Sequence, residues 1–278
     1  MKFLTKSRII VHRILIMIQR KGQLGLSTNK SLERCLILIN KLADYPKGLG
    51  ITELSHHLDI PTTTVHRIVS TLLNFNMVKK DINTGKVLLG MHMVYLASKI
   101  IDSIDLRESA RPYLEDLRDK TNEVIHLCVR ENEEVVYIDK VESNQKVKIA
   151  SKIGYRANLH CTGVGKALLT GLEDEEVRKI LKNKGMTKYT ETTIIDPEQM
   201  IKHLHEIKNK GYAIDNLEHE ADIRCVAAPI LDYTNKVIAA ISIAGPETRV
   251  TNQKIEQELA PLIKETALSI SKSLGYIK

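Results

Sequence analysis

The segment Ile51–Gly90 constrains this chain more than any other. Its first part, ITELSHHLDI, places Leu54 and Leu58 on one face of a helix, with Thr52 where a cap is expected. Asp59-Ile60-Pro61 supplies a turn, because Pro cannot continue the preceding helix but suits the first position of the next. Val65, Ile68, Val69, Leu72 and Leu73 then recur three or four residues apart, which predicts a second helix with one buried stripe. Met77–Lys80 and Lys86–Leu89 read as strands around an Asn83-Thr84-Gly85 turn. Two short helices, a tight turn and a basic hairpin are the parts of a winged helix-turn-helix, which seats one helix in the DNA major groove.

The second helix of this segment turns Thr62, Thr63, Thr64, His66, Arg67 and Ser70 away from its apolar stripe. Short hydroxyls admit close approach to phosphates and bases, and Arg can grip guanine bidentately. For the helix in isolation, an ordinary solvated polar surface is the favoured reading. Lys79, Lys80 and Lys86 on the hairpin would flank a nucleic-acid backbone and supply salt-sensitive affinity, which favours double-stranded DNA as the partner. Charge agrees with this division. Residues 1–104 hold 15 Lys+Arg against 6 Asp+Glu, whereas residues 105–278 hold 26 against 28, so a polyanion partner is expected for the front only.

Upstream, Ser31 is expected to precede a helix whose stripe of Leu32, Cys35, Leu36, Ile39, Leu42 and Ala43 faces a core, ended by Pro46, Gly48 and Gly50. Residues 1–26 combine a basic start with an apolar run that His12 and Arg13 interrupt, and they read as an N-terminal extension. No clean cleavage site follows, and the run is too short to span a bilayer, so neither secretion nor a membrane partner is expected. Cys35, Cys128, Cys161 and Cys225 are scattered through apolar segments, as reduced thiols of a cytoplasmic protein would be.

Beyond the hairpin, Met91, Val94, Tyr95, Ala97, Ile100, Ile101 and Ile104 have helical spacing and must bury a stripe against something. Helical RPYLEDLRDKT is followed by strand-like 124–129 and 135–141, helices over 163–169, 173–182 and 196–210, and strands over 212–215, 225–231 and 237–244. Asp196 with Pro197 is a clear helix start. Residues 251–274 read as an amphipathic helical region broken near Pro261.

The order SLERCLILINKLAD, ITELSHHLDIPTTTVHRIVSTLLNFNMV and a hairpin ending in LLG resembles the IclR family of bacterial transcription regulators. GYRANLHCTGVGKALLT and KGYAIDNLEHEADIRCVAAPILDYTNKVIAAISIAGP are similar to the two signature blocks of that family's effector-binding domain. The resemblance implies an α+β protein with a winged helix-turn-helix over 27–90, a linker helix over 91–108 and a GAF-like effector-binding domain over 109–278 built on a mostly antiparallel sheet. It implies a homodimer or homotetramer that regulates transcription, as a repressor or alternatively a metabolite-responsive activator. The effector expected from it is a small organic acid, with no cofactor.

The same resemblance carries pocket roles onto Gly163 and Val164 at a helix start, Asp215 after the GYA strand, Cys225, and Ser242 in the last strand, with Ile149 and Ile223 as apolar walls. From the residues alone, Thr162-Gly163-Val164-Gly165 fits two readings, an anion site of free N–H groups or a glycine-eased helix start packed on a sheet. Four positions depart from the family pattern. Ala244 stands where serine is common, Asp222 where glycine is usual, Leu217 where an acid is frequent, and Asn235 where a turn glycine is expected. A buried charge at Asp222 would disfavour an anion.

Catalysis finds little support. Gly163-Val164-Gly165-Lys166 fails as a phosphate loop, because His160 stands where Gly is needed and Ala167 where Ser or Thr is needed. His160, Cys161 and Cys225 lack the close spacing of metal ligands, so no metal is expected. Two rival classes stay open at this point, an enzyme acting on a small acid and a scaffold whose helix-turn-helix packs against protein.

Overall fold

The computed structural model describes residues 29–101, 105–146 and 149–277, without the side chains of Ile100 and Ile101. Residues 1–26, read as an extension, lie outside the described residues. The chain divides into two compact units, one up to Ser103 and one from Ile104.

The first unit contains α1 (Lys30–Ala43), α2 (Ile51–Leu58), α3 (Thr62–Asn74), β1 (Val78–Lys80), β2 (Val87–Leu89) and α4 (His92–Ile101). Asn29, not Ser31, caps α1: its Oδ1 accepts from the N–H groups of Ser31 and Leu32 at 3.1 and 3.2 Å. Gly50 rather than Thr52 occupies the cap position of α2, and the Glu53 carboxylate bonds back to the Gly50 N–H at 2.6 Å. Asp59 adopts a left-handed backbone at φ 50°, and Pro61 caps α3 instead of opening its first turn. The buried set of Leu38, Leu42, Leu54, Val65, Val69, Leu72, Val78 and Val87 ties these helices to the hairpin.

The stripe expected on α1 is corrected. Leu38 and Leu42 are its buried residues, with Cys35 and Ile39 packed beside them, while Leu32, Leu36 and Ala43 are exposed. On α4, Val94, Tyr95 and Leu96 are also exposed, as is Met91 just before it. A single linker helix over 91–108 does not form either. Asp105 takes extended backbone and its side chain caps a new helix by accepting from Arg107 and Glu108.

That helix, α5 (Leu106–Thr121), opens the second unit. It is followed by β3 (Val124–Glu131), β4 (Glu134–Val141), β5 (Arg156–Asn158), α6 (Gly163–Leu169), α7 (Asp174–Lys184), α8 (Pro197–Lys210), β6 (Ala213–Asn216), β7 (Ile223–Leu231) and β8 (Val237–Pro246). The six strands form one antiparallel sheet in the order β5-β4-β3-β8-β7-β6. β5 was not expected from the sequence, since Arg-Ala-Asn carries no apolar alternation.

Alternation along the strands assigns each sheet face its own core. Ile125, Leu127, Val226, Ala228, Ile230, Ala239, Ile241 and Ile243 pack with α5 and the C-terminal helix. Cys128, Val135, Ala213, Ala227 and Ala240 pack with α6, α7 and α8 on the other face. The C-terminal helix is not broken at Pro261. It runs through Asn252–Lys254 (α9), a π turn at Ile255–Leu259 and α10 (Ala260–Ser273). The π turn, closed by the Ala260 N–H on the Ile255 carbonyl, widens the helix just before Pro261, whose ring would crowd a regular turn.

These assignments separate by mutation. Leu38→Ala should cost about 2–5 kcal/mol in denaturant unfolding of the first unit. Asn29→Ala should cost about 0.5–2 kcal/mol, and Ser31→Ala almost nothing.

Candidate helix-turn-helix surface and effector cavity

On α3, Thr62, Thr63, His66, Arg67 and Ser70 are exposed together, and Thr64 is half-buried. The first turn of α3 contains no acidic residue and no side-chain cap, so its leading N–H groups are not engaged by a side-chain cap at the positive end of the helix. Lys79 and Lys80 extend from β1 into solvent. Lys86 is half-buried, 3.9 Å from the Glu53 carboxylate, an ion pair exposed enough to contribute little to stability. The hairpin tip is fixed by Asp81, whose Oδ1 accepts from the Thr84 N–H and hydroxyl, each at 2.7 Å.

The second unit holds a cavity of about 130 Å³ on the α6 face of the sheet. Ile149, Gly163, Val164, Asp215, Ile223, Cys225 and Ser242 all line it. Strand register explains how residues far apart in sequence meet there. Asp215 pairs with Cys225 and Cys225 with Ala244, forming one row across β6, β7 and β8. One row along, Ala227 pairs with Ser242 and Ser242 with His126. The start of α6 lies over these rows. A Cβ on Gly163 would come within 3.3 Å of Ala227 Cβ, and one on Gly165 within 2.3 Å of the Leu159 carbonyl oxygen. Gly165 is therefore a packing residue, whereas Thr162, Gly163 and Val164 form the cavity wall.

Sequence reasoning missed several wall residues. His126, Tyr137, Ser151, Tyr155, His219 and Glu220 also line the cavity. The signal for His126 was present, as the polar interruption in the apolar run Val-Ile-His-Leu-Cys-Val. His126 Nε2 lies 2.7 Å from Ser151 Oγ and Nδ1 lies 3.3 Å from Ser242 Oγ. Burial, helped by the nearby Lys140 charge, pushes the imidazole down to about 3, so it is neutral at physiological pH. The Tyr137 ring meets it edge-on at 5.0 Å. Lys140 itself donates to the Ile149 and Ser151 carbonyls at 2.9 and 2.8 Å, pinning one wall.

Asp215 is the buried acid of the site. Its Oδ1 accepts from the N–H groups of Glu218 and His219 at 2.8 and 3.4 Å, and burial raises the carboxyl to about 7. Behind it, the fully buried Lys166 of α6 is paired with Glu218. Burial also raises the Cys225 thiol well above its ordinary value and holds Cys161 at about 12, which leaves neither as a ready nucleophile. Among the described residues, no group of three or more His, Cys, Asp or Glu side chains is placed to hold a metal ion.

The departures from the family pattern fall in different places. Ala244 is in the cavity wall, so the hydroxyl a serine would supply there is missing. Asp222 is exposed, so it places no buried charge against an anion; the acid lining the cavity in this loop is Glu220. Leu217 has φ 62°, and its carbonyl accepts from the Thr190 and Thr192 hydroxyls. Asn235 has φ 63° in the β7–β8 turn, a backbone that Asn tolerates.

The ionisation of Asp215 has a measurable effect on stability. A carboxyl raised above its unfolded value of 3.8 contributes stability below that value, and this contribution is lost as pH rises through about 7. Asp215→Asn should therefore melt at a higher temperature than the wild type at pH about 8, and the gain should vanish near pH 4.

Comparison with known proteins agrees with this architecture. The family described as "IclR helix-turn-helix domain" matches residues 31–81, and that described as "Bacterial transcriptional regulator IclR C-terminal" matches residues 98–272. The chain is 30% identical to the HTH-type transcriptional regulator XynR of Escherichia coli K12 over 247 residues, covering 89% of this chain and 98% of XynR. It is 31% identical to the HTH-type transcriptional repressor AllR of Salmonella typhimurium LT2 over 259 residues, covering 92% and 95%. Among solved structures, the Agobacterium tumefaciens repressor BlcR superposes with a TM-score of 0.75 at 26% identity, covering 91% of this chain and all of that one. The Thermotoga maritima IclR structure gives 0.59 at 28% identity, covering 90% of this chain. The chain belongs to the IclR family of bacterial transcriptional regulators, a DNA-binding and non-enzymatic family.

Proposed function

We propose that this regulator is a repressor that reads a double-stranded DNA operator with α3 and the hairpin, and that a small organic acid in the cavity controls its operator affinity. The observation that carries the reading is the cluster of Thr62, Thr63, His66, Arg67 and Ser70 exposed on α3 beside the exposed Lys79 and Lys80. Repression is favoured because AllR and BlcR are both named repressors. A homodimer or homotetramer suits the exposed apolar residues Leu32, Leu36 and Ile37 on α1 and Val94, Tyr95 and Leu96 on α4, which a second copy would cover. Two reading helices would also match a two-fold symmetric operator. No helix among the described residues is long and apolar enough to cross a membrane, which accords with action on DNA in the cytoplasm. The effector shifts the population between arrangements only if it binds them unequally.

Fluorescence anisotropy on DNA from upstream of the protein's own gene, with a scrambled duplex and a salt series, tests this reading. Preferential binding that weakens steeply with salt is expected. Equal binding to both duplexes, or none, would count against operator recognition there. Arg67→Ala should cost about 1–3 kcal/mol and relax specificity at one position. Equal loss on every sequence would make Arg67 a phosphate anchor instead. Lys80→Ala should weaken binding uniformly and reduce the salt slope by about 1.

A further inference from the structure

An organic acid entering the cavity would meet an acidic wall. Asp215 is buried in that wall, and Glu220 adds a second carboxylate, yet among the described residues no Lys or Arg lines the cavity. The charged and titratable groups around Asp215 come from every element packed against it. Lys166 on α6 favours its ionised form, and Glu218 in the β6–β7 loop opposes it. Because Lys166 and Glu218 are paired with each other, their combined charge near Asp215 is close to zero. Cys161 ahead of α6, Cys225 on β7 and Tyr137 on β4 are all held neutral by burial. The remaining bases of the wall, His126 on β3 and His219 in the β6–β7 loop, are both shifted by burial towards the uncharged form. Among the described residues, an incoming carboxylate therefore meets no free cation in the wall.

Two like charges in a shared desolvated site cannot both persist, and the usual resolution is that one carboxyl keeps a proton. Asp215 is built for that role. Both backbone donors that bind it end on Oδ1, which leaves Oδ2 for a ligand. We propose that the cavity binds an organic acid together with one shared proton, held between Asp215 Oδ2 and the ligand carboxylate. The ligand arrives ionised, and the proton comes from solvent whenever Asp215 is ionised beforehand; no covalent bond is made or broken. Effector affinity is thereby tied to pH, rising as the surroundings acidify. This inference rests on the reading of the effector as an organic acid.

Isothermal titration of the full chain with formate, acetate, glycolate and pyruvate, in two buffers of different ionisation enthalpy, tests it. With Asp215 titrating near 7, the affinity of any acid that binds should fall about tenfold between pH about 6 and pH about 8, with uptake of about one proton at the higher pH. Asp215→Asn keeps an acceptor for the two N–H groups and presents a permanent donor to the ligand. It should bind independently of pH over this range, and more tightly than the wild type at pH about 8. Equal wild-type affinity at both pH values, without proton uptake, overturns the proposal and leaves the acid reading standing. A wild-type slope retained in a folded Asp215→Asn variant also overturns it, by moving the proton to a histidine. No binding of any of the four acids at pH about 6 overturns the acid reading together with the proposal.

Discussion

The close seat of α6, with Gly163 against Ala227 of the sheet and Gly165 against the Leu159 carbonyl of the preceding turn, sets where the rest of the C-terminal unit can go. All seven residues of α6 are buried, so this short helix is part of the core rather than a surface element. Because the helix start lies so near the strands, the space left over is small and is bounded by backbone as much as by side chains. The antiparallel register then decides which side chains fill its floor, since β6, β7, β8 and β3 each present alternate residues to the same face. Apolar burial on the opposite face, through α5 and α10, holds that register in place.

Placing α6 inside the core also buries Lys166, whose charge would be costly there without the Glu218 carboxylate. The loop carrying Glu218 is itself held by hydroxyls, with Thr190 and Thr192 donating to the Leu217 carbonyl and Thr193 to that of Glu218. The Glu218 N–H in turn supports Asp215. Buried pair, loop and cavity acid thus form one connected arrangement. Removing either member of the Lys166–Glu218 pair would leave the other charge desolvated without its partner.

Much of the helix-turn-helix was legible because its boundaries are written in local chemistry: Asp59 and Pro61 stop and restart the helices wherever the rest of the chain lies. The stripe on α1 was misread for an equally physical reason. α1 carries apolar residues on more than one face, and periodicity cannot tell whether Leu32 and Leu36 or Leu38 join Leu42 in this chain's own core. The cavity was legible only through family resemblance, which located Asp215, Cys225 and Ser242 in its wall. Its neutral His126 and the staple from Lys140 depend on strand pairing and burial, which no local pattern encodes. Pro261 signalled a break that the preceding π turn absorbs.

Lys140 grips the Ile149 and Ser151 segment by main-chain carbonyls, which every residue type possesses. At 149 and 150 the position of that wall is therefore uncoupled from the identity of the side chains it displays, whereas the Ser151 hydroxyl is also tied to His126. Substitutions at 149 and 150 can reshape the chamber's lining while the strap stays in place. In evolutionary terms the cavity has a fixed frame with an exchangeable panel, so its lining can drift in shape and polarity without rebuilding the fold around it.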